Sequence, residues 1–264
     1  MSSHSRTWQK FQTGHLMITV ELEPAMAELS VESHRRLGEF TKKLLGVFAS
    51  ARMPATWAVR DPGRSPACTP IVQSAVEHEI AILGDTSWIG AEAGRTRFAR
   101  ELSQRVALAR QAGMNVTSLV SRVAPVREHF DLVVKQGVSA VAGIEQSTAA
   151  RLLQPTPRAL HFGVWDLPAS QRLPMPASWF SGRRALVRKI RAAAHDAATF
   201  HLIIDAAAEL ATRGGVDHLA RTTGRIAELR DRGLLQVETL AQTASRLSAV
   251  PAAVPQRSIL LRAA

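Results

Sequence analysis

Apolar residues follow two alternating rhythms along this chain. Short, dense runs rich in branched and aromatic side chains read as strands: HLMITVEL (residues 15–22), ATWAV (55–59), HEIAILG (78–84), NVTSLVSR (115–122), VSAVAG (138–143), LHFGVWDLP (160–168), TFHLIID (199–205) and LLQVETL (234–240). Between them the apolar positions fall three or four apart, the spacing of a half-buried helix. Leu37, Phe40, Leu44 and Val47 form one such face, and Phe98, Leu102, Val106 and Ala109 another. Residues 130–136 and the segment carrying Leu219, Ile226 and Leu229 give two more. Pro54, Gly113 and Gly137 stand where helices should stop.

Strand–helix alternation with strands apolar on both faces predicts a parallel sheet covered by helices. Seven or eight such units predict an α/β fold, a distorted (β/α) barrel, over an open doubly wound sheet. The Pro-rich stretches 154–157 and 173–176 read as loops, so residues 1–264 are expected to form a single domain. No strand is followed by GxGxxG or GxxxxGK[ST], which argues against a nucleotide fold, and no GxSxG elbow supports a serine hydrolase.

In a barrel of this kind chemistry belongs at the C-terminal ends of strands. Those ends carry Glu21 and Glu23, Asp85 with Ser87 and Trp88, Arg122, Trp165 beside Asp166, and Asp205. Trp57, within a strand, reads as core; Trp88 and Trp165 are candidate pocket walls on which a sugar ring could stack. Asp205 and Asp85 also read as helix or turn caps, and Glu21 with Arg122 as an ion pair. His78 and His201 lie early in their strands and read as structural.

Composition narrows the picture. The 264 residues include a single cysteine, Cys68, which leaves neither a disulfide framework nor a cysteine zinc site. The formal charge is +11. The densest basic run, RRALVRKIRAAAH, sets Arg184, Arg188, Arg191 and His195 on one helical face opposite Leu186, Ile190 and Ala193. It reads first as a solvated face and second as an anion-binding surface. With no recognisable nucleic-acid module, nucleic acid is not the expected partner. No apolar run is long enough to cross a bilayer and no secretory signal is visible, so a cytoplasmic location is the expectation.

The order of these segments resembles the polysaccharide deacetylases of the NodB-homology class over residues 16–247. MPATWAV is similar to the family's second strand, HEIAILGDTSWIG to its His-x-x-x-His segment, SRVAPVREHFDLVVKQGVSAV to its arginine–proline segment, and FHLIIDAAAEL to its last catalytic strand. The resemblance implies a deacetylase-like barrel acting on acetylated glycans with a zinc-type ion held by one Asp and two His. It also implies a separate Asp as base and a His as acid. Carried over by position, Glu21 falls on the base, Leu22 on the ligand Asp, Leu83 and Ser87 on the ligand histidines, and Asp205 on the acid, while Arg122 keeps the family's arginine. If the first motif is aligned on its acidic variant, Glu21 and Glu23 take the acidic positions. The expectation is therefore a carbohydrate-deacetylase-like protein without a cofactor, its metal-dependent site lost, that binds a glycan or serves as a regulatory or scaffolding pseudoenzyme beside a protein partner. The alternatives are an active hydrolase using Glu21 as base, with Arg122 and Asp205 in its site, and an anion-binding protein working through the basic helix.

Overall fold

The computed structural model describes residues 13–22, 31–123, 129–143, 156–173, 179–210 and 215–249. Its strands are β1 (Gly14–Glu21), β2 (Thr56–Val59), β3 (Glu79–Gly84), β4 (Ser118–Ser121), β5 (Ala140–Ala142), β6 (Arg158–Ala159), β7 (Trp165–Leu167), β8 (Gln171–Leu173), β9 (Thr199–Asp205) and β10 (Leu235–Glu238). The helices are α1 (Val31–Ala51), α2 (Cys68–Val72), α3 (Thr86–Ile89), α4 (Arg95–Gln111), α5 (Phe130–Lys135), α6 (Trp179–His195), α7 (Ala206–Leu210), α8 (Gly215–Asp231) and α9 (Leu240–Ala249).

One ten-stranded sheet runs in the order β6-β7-β5-β4-β3-β2-β1-β9-β8. All its pairings are parallel except β6 against β7. The eight-residue β1 is flanked by β9 from His15 to Glu21 on one side. Its other side is shared, β10 pairing Gly14–Met17 and β2 pairing Thr19–Glu21. The sheet curls into a distorted barrel of the expected class with more strands than the seven or eight expected. The additions are the short polar strands β6 and β8. The run 160–168 is also shorter as a strand than its composition predicts: Phe162 and Gly163 take positive φ (60° and 77°), and only Trp165–Leu167 join the sheet.

Alternation along the strands separates two apolar layers. Leu16, Ile18, Val20 and Leu22 face outward and pack with Trp57, Val59, Ile80 and Ile82 beneath the helices. On α4 the predicted face is the buried one: Phe98, Leu102, Val106 and Ala109. Phe98, Leu102 and Val106 each contribute about 1.5–3 kcal/mol on burial. The interior is filled by Met17, Ala58, Ala81, Leu83, Val120, Ala140, Ala142 and Leu167, small residues dominating where space narrows.

Helix α9 closes the N-terminal end of the barrel, sending Leu240 and Ala244 into the inner layer. Its first amide groups land on the strand starts: Leu240 N–H donates to Thr56 Oγ1 (3.0 Å) and Ala241 N–H to Glu79 Oε2 (3.0 Å). Trp165 Nε1–H reaches Ser248 Oγ at 2.9 Å on the same helix.

Because β7 and β8 do not pair, the barrel has an open seam. Side chains cross it. His201, on β9, is hydrogen-bonded through Nδ1 to the Leu167 carbonyl at the end of β7 (3.0 Å) and through Nε2 to Thr19 Oγ1 on β1 (2.9 Å). Arg172, on β8, donates to the carbonyl oxygen of Gly143, just past β5, at 3.3 Å.

Candidate functional site

Glu21 and Asp205 are register partners on β1 and β9 and end their strands side by side. Glu21 is 2% exposed, a carboxylate placed at the inner mouth of the barrel. Two guanidinium groups meet it there. Arg122 Nη2, from the residue after β4, donates to Glu21 Oε2 at 3.1 Å and to Asp205 Oδ2 at 2.6 Å. Arg172 Nη1 donates to the same Glu21 Oε2 at 2.5 Å. Charge-assisted contacts of this length are the strong class of hydrogen bond. Burial works against the charge on Arg122, but Glu21 and Asp205 outweigh it and raise the guanidinium above its ordinary value. Glu21 Oε1 and Arg122 Nε are enclosed and make no hydrogen bond among the described residues.

Asp205 also ends its strand as a cap, since its Oδ1 accepts the Ala208 amide at 3.0 Å and so anchors the start of α7. Asp85 is separately engaged. It caps α3 by accepting the Ser87 amide (2.8 Å) and pairs with Arg60 Nη2 (3.0 Å). Gly84 lets α3 turn in so closely, because a Cβ there would sit 1.8 Å from Ile89 Cδ1. The structure thus brings together Glu21, Arg122 and Asp205 of the expected residues. Asp85 and Ser87 form the neighbouring cap, and Glu23 lies outside the described residues.

The two candidate sugar platforms are placed otherwise. Trp88 is 1% exposed, tilted against Phe98 (5.7 Å between rings) and roofed by the Arg105 guanidinium at 4.9 Å, so it belongs to the outer core. Trp165 opens β7 rather than ending it, which puts it at the α9 end of the barrel. The two early-strand histidines are structural. His78 Nδ1 accepts the Ala55 amide at 3.1 Å, and its ring meets Phe48 and Trp57 edge-on. Burial lowers the pKa of both His78 and His201 to about 4.

Sequence reading missed Arg172. Its signal was a polar triplet, Gln-Arg-Leu, too short to register as a strand, followed by prolines that mark a loop.

A divalent ion of the zinc type does not fit these residues. Among the described residues no three His, Cys, Asp or Glu side chains converge. Leu83 points into the inner layer without a donor atom, and Leu22 faces the outer core. The two carboxylates at the mouth already face guanidinium groups, whose repulsion of a dication at such distances is on the order of several kcal/mol.

No protein-family model and no curated protein sequence matches the chain. Solved structures do. A protein of Mycobacterium smegmatis assigned to the polysaccharide deacetylases superposes with a TM-score of 0.66 at 18% identity, over 92% of this chain and 93% of that one. The wild-type carbohydrate esterase family 4 pseudoenzyme BA3943 of Bacillus anthracis gives 0.53 at 10% identity, over 89% and 66%. The 4-alpha-glucanotransferase of Thermococcus litoralis gives 0.61 at 11% identity, this chain spanning 40% of its length. The chain therefore has the NodB-like fold of the carbohydrate esterase family 4 deacetylases. None of its described helices is long and apolar enough to cross a membrane.

Proposed function

We infer that this chain is a deacetylase-fold protein that binds a glycan without metal-dependent deacetylation. The observation that carries this reading is the Arg122–Glu21–Arg172 arrangement, with Asp205 on the same Arg122 nitrogen. Where the deacetylase chemistry requires carboxylate and imidazole lone pairs turned toward an ion, the lone pairs here are turned toward guanidinium protons. Glu21 is also a poor candidate for a general base, since one oxygen is doubly engaged and the other is enclosed. The fold itself accommodates this outcome, as BA3943 is a pseudoenzyme of the same fold. Arg122 is the part of this cluster that a ligand entering the mouth would meet, its side chain being 35% exposed.

The test combines elemental analysis after incubation with Zn²⁺ and Mn²⁺ and desalting, an acetate-release assay on acetylated oligosaccharides, and calorimetric titration with the same sugars. The expected result is no stoichiometric metal, no acetate released, and saturable binding that weakens in Arg122→Ala. Stoichiometric metal with metal-dependent acetate release overturns the loss of catalysis. Absence of saturable binding overturns the glycan-binding half.

A further inference from the structure

On the outer surface α6 and α8 pack side by side, and the groove between them has a volume of about 500 Å³. Helical spacing places Arg184, Arg188 and Arg191 along its α6 wall, and His218, Arg221 and Arg225 along its α8 wall. Only part of this charge is answered. Arg225 is paired with Glu228, both carboxylate oxygens at 2.9 Å. Arg221 is oriented by the Asp217 carbonyl (3.2 Å) and by His218 Nδ1 (2.5 Å), neither of them an anion. Arg184, Arg188 and Arg191 make no ion pair among the described residues. A solvated helix face needs no facing helix of the same sign. The arginine stems line the groove and their exposed heads set like charge along both rims, where a bound anion would meet several guanidinium donors.

We propose that the α6–α8 groove binds a small ligand bearing two or more phosphoryl groups. The guanidinium fork matches the tetrahedral oxyanion, and each terminal phosphoryl group brings about −1.5 to −2 charges at neutral pH. Two or three such groups offset the unanswered charge within the groove, which the same number of sugar carboxylates would not. Arg184 and Arg191 are two helical turns apart, about 10 Å, a span that an oligophosphate covers. The groove is open to solvent, and its volume of about 500 Å³ falls within the range of small-molecule sites, about 300–1,000 Å³.

The experiment is calorimetric titration of the intact protein with inorganic tripolyphosphate at low and moderate salt, repeated with Arg188→Glu, Arg221→Glu and the milder Arg188→Gln. Mixed-sequence single-stranded DNA and polygalacturonate serve as competing anions, and circular dichroism monitors the fold. The expected result is one saturable site that loses about tenfold or more in affinity in each charge-reversal variant and less in the glutamine variant. Three results overturn the proposal: no saturable tripolyphosphate binding, variants that bind like the parent, or DNA or polygalacturonate binding that depends on these arginines while tripolyphosphate does not bind.

Discussion

Arg172 and Glu21 lie on strands that are not neighbours, β8 and β1 with β9 between them, yet their side chains meet at 2.5 Å inside the barrel. The same guanidinium continues to the Gly143 carbonyl on the far side of the seam. One side chain thus neutralises the mouth carboxylate and ties the edge strand β8 to β1 and to the end of β5, neither of which it meets by a backbone ladder.

Removing it should cost both services. Arg172→Met is expected to lower stability by about 2 kcal/mol, since a buried carboxylate loses a charged partner. Adding Glu21→Gln should return part of that loss, because the charge needing the partner is then gone. Urea denaturation of the two single variants and the double variant gives the coupling directly. Additive effects would mean that Arg172 and Glu21 do not share an interaction.

His201 should make the fold acid-sensitive. Burial depresses its pKa from 6.5 to about 4, so between these values the unfolded chain takes up a proton that the folded chain refuses. Its contribution is complete above pH 6.5 and is lost as the pH falls toward 4, on the order of 3 kcal/mol in all. His78, lowered in the same way, acts in the same window. Unfolding free energies measured from pH 7.5 to 4.5 should fall steeply in the parent and less steeply in His201→Asn. Equal slopes would remove His201 as a source.

Glu79 should behave in the opposite sense. It is buried at the start of α9, and that burial raises its pKa above the ordinary carboxylate value despite bonds from Thr56 and the Ala241 amide. Its ionised form therefore costs stability that a neutral side chain keeps as the pH rises through the folded value. Glu79→Gln retains an oxygen for both donors and is expected to gain about 1 kcal/mol at pH 8, whereas Glu79→Ala loses the acceptor and falls below the parent. Thermal melts at pH 8 distinguish the two.

Introducing the deacetylase ligands at the matching positions should fail for a geometric reason. Leu22 faces the helices, so Leu22→Asp places a carboxylate in the outer core and should cost about 4 kcal/mol or more. Leu83→His puts an imidazole inside the barrel, where the carboxylates of the mouth are already held by guanidinium groups. Soluble yield and denaturation report the first variant, elemental analysis the second. A stably folded Leu22→Asp would contradict the packing of β1.

Much of the fold was legible because the strands are apolar and the helices keep their spacing. TFHLIID coincides with β9, and the Phe98–Ala109 face is the buried face of α4. What escaped is polar or bent. QRL carries no strand signal until Arg172 finds Glu21, a contact spanning most of the chain. LHFGVWDLP reads as one strand because the reversal at Phe162 and Gly163 comes from backbone conformation, which leaves no mark on hydropathy. That error moved Trp165 to the wrong end of the barrel. At the mouth, residue types indicated Glu21, Arg122 and Asp205, but their partition between pairing and capping depends on distances that no spacing encodes.

The central strand also sets a schedule. β1 ends at residue 21, and its partners β9 and β10 are synthesised long after it, beginning at residues 199 and 235. At translation speeds of about 5–20 residues per second, one edge of β1 waits roughly ten seconds or more for a neighbour. Through that interval a highly apolar strand is exposed to other nascent chains, a known route to aggregation. Yield in a cell should depend on how that interval is covered, by chaperone capacity and growth temperature, more steeply than the stability of the finished barrel would suggest.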